Sequence, residues 1–307
     1  MISVFANKVL ADTSDIHSVC KLDHVNCLQL LPDEYKHTKP KSFTWYQFKL
    51  YEIEAYFQLK TVKERIDLIT PLLAIEKAPV NFKISVYIDY AKSMFAQKKY
   101  DLAREYAYKA SDLIDISVSA FDSPMKLVQL TNLRMYLIKT YHELGVIKDK
   151  QAEYQESYDF LSQVLQRYKR STDALFLAEV HANLGHLKTH TKENKQALVH
   201  YKSTIPWLKQ LGNKQQLGVG FYNVARSLHR NNDLLSAKHF FRRAAAEFKT
   251  SNDHPKYILS LFQIINIHIL LDDFEKAREL FENIETNTLP QQNINQYEKT
   301  KQQLFGS

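Results

Sequence analysis

HANLGHL at 181–187 followed by KQALVHYKSTI at 195–205 is the stretch on which the fold turns. Forty residues later FYNVARSL (221–228) is followed by LSAKHFFRRAA (235–245), and forty after that LFQIINIH (261–268) by EKARELFENIE (275–285). The three copies align without a gap. Asn183, Asn223 and Gln263 share one position, Ala197, Ala237 and Ala277 a second, and Tyr201, Phe241 and Phe281 a third. Two antiparallel helices approach closely only where a small side chain faces the partner, which the alanine supplies. An aromatic ring one turn later fills the space between successive hairpins. The alanine and aromatic positions are therefore assigned to packing.

Self-similarity at a fixed period signals a stacked repeat. Fourteen residues from the polar position to the alanine and four more to the aromatic is tetratricopeptide spacing. The period of forty exceeds the usual repeat of about 34 residues, which suggests an extended connection between hairpins. A fourth copy, IDYAKSMFAQKKYDLAREYAYKA (88–110), carries Ala91, Ala103, Ala107 and Ala110, with Asp89 in the polar slot. A weaker one runs from LTNLRMYLIKTYHELG (130–145), with Asn132, into AEYQESYDFLSQVLQRY (152–168). FTWYQFKLYEIEAYFQL (43–59) and VKERIDLITPLLA (62–74) make one more hairpin from apolar residues spaced near 3.6. The expected fold is all-α, a right-handed superhelical solenoid of about six tetratricopeptide-like hairpins.

Turn chemistry sets the boundaries. LGN at 211–213 reads as a helix end and loop, SNDHP at 251–255 as a polar break, and Asp122-Ser123-Pro124 as a helix start with proline just inside it. Residues 1–42 are expected to form a short helical segment and linker, with LPDEYKHTKPKS (31–42) as the linker. Residues 43–307 form the repeat domain, whose last stretch, TNTLPQQNINQYEKTKQQ (286–303), reads as a capping helix or a tail.

Composition excludes several classes. Six glycines and eight prolines in 307 residues argue against a β-sandwich and against glycine-rich nucleotide loops. Cys20 and Cys27, seven apart, supply neither a disulfide framework nor a four-ligand zinc site, which fits a reducing, cytoplasmic setting. The N-terminus MISVFANKVLADTSD lacks the apolar core of a signal peptide. The most apolar stretch, 257–271, is interrupted by Ser260, Gln263, Asn266 and His268 and reads as a buried helix, so no membrane partner is expected. The net charge of +7 is scattered rather than gathered on one helix, so direct DNA binding is not expected.

The first helix of each hairpin in such a fold lines the concave face, which here presents Asn183 and His186, Asn223 and Arg226, and Gln263 and Asn266, with Asn132 in the weaker copy. A carboxamide both donates and accepts, so a ladder of amides suits the backbone of an extended peptide. Arg226 and Arg230, one turn apart beside His229, are placed to receive a ligand carboxylate, although a solvated basic face has the same pattern. His186 and His190 have the spacing of paired zinc ligands but no third ligand, so no metal is assigned. Glu52 and Glu54 face different ways and form no catalytic pair. No nucleophile, P-loop or dinucleotide motif occurs, and no cofactor is expected.

GNKQQLGVGFYNVARSLHRNNDLLSAKHFF (212–241), with support from 88–110 and the hairpin from Phe43, resembles the Rap family of quorum-sensing regulators of Gram-positive bacteria, and more broadly the Rap, NprR and PlcR peptide-receptor group. The resemblance spans most of 43–285. It implies a short signalling peptide in the groove, gripped at its backbone by Asn223 with Tyr222 beside it, and a regulatory protein partner, either a response regulator or a transcription factor. It leaves room for a homodimer. Phosphatase members place a glutamine just before the segment matching Trp45-Tyr46. HTKPKS (37–42) has none, so no catalytic residue is assigned. PlcR-type members carry a helix-turn-helix for which residues 1–42 are too short. The expected function is thus a peptide-responsive regulator controlling a partner protein. The alternatives are a response-regulator aspartate phosphatase, and a generic repeat scaffold or transcriptional regulator.

Overall fold

The computed structural model describes residues 16–117, 124–147, 149–284 and 289–306, and all its regular secondary structure is helical. The chain divides into two compact units, residues 1–137 and 138–307. The first holds α1 (Ile16–Leu22), α2 (His24–His37), α3 (Phe43–Leu59), α4 (Val62–Leu73), α5 (Val80–Ala96), α6 (Tyr100–Ser117) and the start of α7 (Pro124–Glu143). The second holds the end of α7, then α8 (Lys150–Arg167), α9 (Ala174–His190), α10 (Asn194–Leu211), α11 (Lys214–Arg230), α12 (Leu234–Thr250), α13 (His254–Leu270), α14 (Phe274–Glu282) and α15 (Ile294–Phe305). The pairs α3–α4, α5–α6, α9–α10, α11–α12 and α13–α14 pack as the expected hairpins. The proline-led start of α7 is present, whereas Asp122 and Ser123 lie outside the described residues, as does the N-terminal stretch 1–15.

The period of forty recurs in the backbone. Lys192, Asn232 and Asp272 stand at the turns inside successive hairpins, with φ of 66°, 62° and 57°. Each turn is closed by the same bond, a donor N–H reaching five residues back: Glu193 to Lys188, Asp233 to Leu228 and Asp273 to His268, at 2.8, 3.0 and 2.9 Å. This left-handed cap satisfies carbonyls that the helix end would leave open. Asp233 and Asp273 then cap the next helix by accepting from the backbone N–H of Ser236 and Lys276.

The expected extended connection between hairpins is not there. Only Gly212 and Asn213 separate α10 from α11, and only 251–253 separate α12 from α13. The residues beyond the common repeat length lie inside the helices, 17 or 18 residues each from α9 to α13. Gly212 takes φ 69° as the cap of α10, and Asn213 accepts from the N–H of Gln216 to start α11. A turn this tight needs no loop.

Packing follows the repeat positions. Ala197, Ala237 and Ala277 are fully buried, and so is Phe241, in a cluster drawing Tyr201, Val224, Leu228, Ile264 and Ile267 from three hairpins. A Cβ on Gly185 would come within 2.7 Å of the Tyr201 ring, so the glycine lets that ring lie directly on α9. α13 is buried along Ile258, Phe262, Ile265 and Ile269, and no described helix is long and apolar enough to cross a membrane. The final stretch forms α15, with Tyr297 stacked on Phe281 at 4.7 Å and Leu304 in the core of the last hairpin.

Two readings of the N-terminal segment are corrected. Residues 31–37, expected as linker, belong to α2, which continues through Pro32 because Leu28, Leu31 and Tyr35 pack with Phe48 and Tyr51 of α3. Cys20 and Cys27 are joined by a disulfide. A turn at Asp23, which caps α2 by accepting from the N–H groups of Val25 and Asn26, folds α1 back and brings the two Cα atoms within 4.6 Å.

In the first unit the polar slot holds a charge network. Asp89 is fully buried and accepts from Lys126 Nζ at 2.8 and 3.0 Å, with Lys92 at 3.4 Å and Glu54 3.6 Å from Lys126. Burial works against the Lys126 charge, but Asp89 and Glu54 outweigh it and hold its pKa above the usual lysine value. Glu52 points elsewhere, to Lys49 and the Tyr35 hydroxyl, so the two glutamates do diverge.

Candidate functional site

In the second unit, α8 to α11 enclose a cavity of about 640 Å³. From α11 it is lined by Asn223, Arg226 and Arg230, which share one helix face because they stand three and seven residues apart. From α9 come His186, Thr189 and His190, from the start of α8 Lys150 and Gln151, from the hairpin turn Lys192 and Asn194, and from α10 Tyr201. The asparagine cap at 213 and the glycine at 185 position this wall, the first by starting α11 and the second by admitting Tyr201.

The cavity has a fixed polar floor. The Tyr201 hydroxyl lies 3.0 Å from His186 Nδ1 and 3.2 Å from Thr189 Oγ1. The His190 ring is stacked on Tyr154 at 4.3 Å, which occupies one of its faces. Asn223 is buried yet makes no hydrogen bond to the protein, leaving the donor and acceptor of its amide open to the cavity. Arg226 and Arg230 are exposed at its mouth.

Burial lowers the His186 pKa to about 4, and Arg226, His190 and Arg230 add charge repulsion in the same direction. His190 is lowered by burial first and by Arg230, Lys150 and Lys139 next. The sign for stability follows. The unfolded chain protonates His186 near the ordinary value of about 6.5, while the folded chain resists until about 4. Stability from the neutral ring is complete above pH 6.5 and is lost as pH falls toward 4. Urea denaturation is expected to register a loss of roughly 1–2 kcal/mol from this group between pH 7 and pH 5. The His186→Gln variant should show a smaller drop. An equal drop in both would assign the acid sensitivity to other groups.

The sequence-derived candidates divide. His186, Asn223 and Arg226 meet in this cavity. Gln263 and Asn266 line a separate one of about 490 Å³, where α13 faces Gln296, Lys299, Thr300 and Gln303 of α15. Asn183 is buried with its Nδ2 atom unpartnered and lines neither cavity. Tyr222 also lines neither; its ring packs on Phe241 at 5.2 Å and joins the core. Asn132 is half-buried on α7. Sequence reasoning missed Lys150, Lys192 and the hydroxyl of Tyr201, a residue assigned to packing alone. Lys192 had a detectable signal, since it stands one period before Asn232 at the hairpin turn. Among the described residues no group of three side chains is arranged to hold a metal ion.

No protein-family model matches the sequence, and no curated protein matches it significantly. Solved structures do resemble it. The apo form of RapI superposes with a TM-score of 0.72 at 12% identity, over 95% of this chain and 80% of that one. The apo form of the quorum sensor NprR from B. thuringiensis gives 0.65 at 14%, over 96% and 81%. A Rap protein complexed with competence and sporulation factor gives 0.57 at 15%, over 94% and 76%. The chain therefore has the Rap-type fold of tetratricopeptide-like hairpins.

Proposed function

We propose that this protein is a peptide-responsive regulator, in which a short peptide occupies the cavity lined by α9 and α11 and its binding controls a partner protein. The observation that carries the reading is the open amide of Asn223, buried at 9% exposure without a protein partner. The polar atoms of this amide reach the cavity rather than being sealed in the core, as Asn183 Nδ2 is, and with both groups free it matches the alternating N–H and C=O of an extended peptide. Gln151 and Asn194 add two more side-chain amides to the same lining. The cavity volume suits a few peptide residues rather than a folded partner. The likeness to a Rap structure solved with competence and sporulation factor supports the same reading.

Calorimetric titration of the full chain with hexapeptide pools tests it. The best-binding pool should bind Asn223→Ala about tenfold more weakly, the size expected for losing one or two hydrogen bonds. Unchanged affinity would remove Asn223 from the site.

A further inference from the structure

The lining of the cavity between α9 and α11 is one-sided in charge. Lys150, Lys192, Arg226 and Arg230 all face it, His186 and His190 stand among them, and neither an aspartate nor a glutamate contributes. None of the four permanent cations has an ion-pair partner among the described residues. This is unlike Lys188 on α9, which is buried and held by Glu193 at 2.7 Å. The same unit therefore does supply carboxylates to lysines where it buries them, and supplies none here. The positive field is felt inside the cavity: both arginines oppose a proton on His186, and both work against the burial that raises the Tyr201 phenol.

We infer that the ligand of this cavity is an acidic peptide, bearing at least two carboxylates, one of them received jointly by Arg226 and Arg230. The inference rests on the peptide reading above and names the class of peptide. Arg226 and Arg230 lie one turn apart on the α11 face that also carries Asn223, so a chain whose backbone pairs with Asn223 brings a neighbouring carboxylate to them. Guanidinium groups bind carboxylates with paired, charge-assisted hydrogen bonds. Lys150 and Lys192 remain for a second acidic group. A basic peptide would bring like charges into a cavity with no counter-charge, and is excluded. A nucleotide is disfavoured on separate grounds. Its base would find little aromatic surface to stack on, since the Tyr201 ring is buried under Gly185 and Tyr154 covers one face of the His190 ring.

The test uses the full chain and three amidated hexapeptide pools of equal length, fixed respectively with two Asp or Glu, two Ser or Gln, and two Lys or Arg. The acidic pool should bind tightest and the basic pool not at all. Arg226→Gln and Arg230→Gln should each weaken the acidic pool by about tenfold or more while leaving thermal unfolding unchanged, as both side chains are exposed. Rising salt should weaken binding further. Equal or tighter binding of the neutral or basic pool, unaffected by Arg226→Gln, would overturn the acidic class and leave the peptide reading standing. Failure of every pool would instead overturn the peptide reading itself. Displacement of the acidic pool by inorganic phosphate at equal concentration would reduce the cavity to a general anion site and overturn the proposal.

Discussion

Asp89→Ala is expected to destabilise the protein by about 3–5 kcal/mol, the cost of removing one partner from a buried charge pair. Asp89 is 1% exposed at its side chain and Lys126 14%, so the lysine loses both of its short bonds and cannot regain water without moving. Lys92, already lowered by burial and by Lys126, would lose its attractive neighbour as well. Glu54 is too far, at 3.6 Å and partly exposed, to take over the whole role. Urea denaturation at pH 7 checks this. The Asp89→Ala, Lys126→Met double variant should recover part of the loss, because it leaves a smaller uncompensated charge. A loss below about 1 kcal/mol for the single variant would mean that Lys126 reaches solvent readily.

Phe241→Ala should cost a similar 3–5 kcal/mol, for a different reason. The ring is fully buried where three hairpins meet, touching the cluster of Tyr201, Val224, Leu228 and Ile264. Its removal opens a cavity that neighbours fixed on long helices cannot collapse into. Val199→Ala is the control: that side chain is 64% exposed and its loss should change stability little. Thermal and urea unfolding of the two variants separates the cases. A mild Phe241→Ala phenotype would mean that the hairpins slide to close the void.

Much of the fold was legible because small and aromatic side chains recur at fixed spacing. Ala197, Ala237 and Ala277 could not be mistaken once aligned, and all three are fully buried. The hairpin turns were harder to read. Their left-handed residues are Lys192, Asn232 and Asp272 rather than glycine, so the usual punctuation is missing. That is why the extra residues of the repeat were assigned to a loop, when the helices simply run longer. Pro32 similarly suggested a linker, but apolar contacts to α3 carry α2 through it. The disulfide depended on α1 folding back at Asp23, a contact that spacing along the chain does not reveal.

The site was legible where the repeat register places a residue on the first helix of a hairpin, as with His186 on α9 and Asn223 and Arg226 on α11. Asn223 and Arg226 share a face of α11, and helical periodicity finds such sets. Lys150 and Tyr201 reach the same cavity from α8 and α10, and no local pattern joins them. Periodicity also joins positions that the structure places in different surroundings. It makes Gln263 equivalent to Asn223, whereas Gln263 shares its cavity with α15 and Asn223 shares one with α8, α9 and α10. Tyr222, next to Asn223 in sequence, turns the other way into the core, as adjacent helical residues do.

Peptide occupancy of the second unit is tested most directly by photo-crosslinking. Hexapeptides selected for binding to the full chain, each carrying one benzophenone group, would be irradiated in complex and the adducts mapped by proteolysis and mass spectrometry. The expected adducts fall on 186–192 of α9 and its turn and on 223–230 of α11, and they disappear on competition with unlabelled peptide. Adducts confined to residues 16–117, or labelling that competition leaves unchanged, would contradict peptide binding in this cavity.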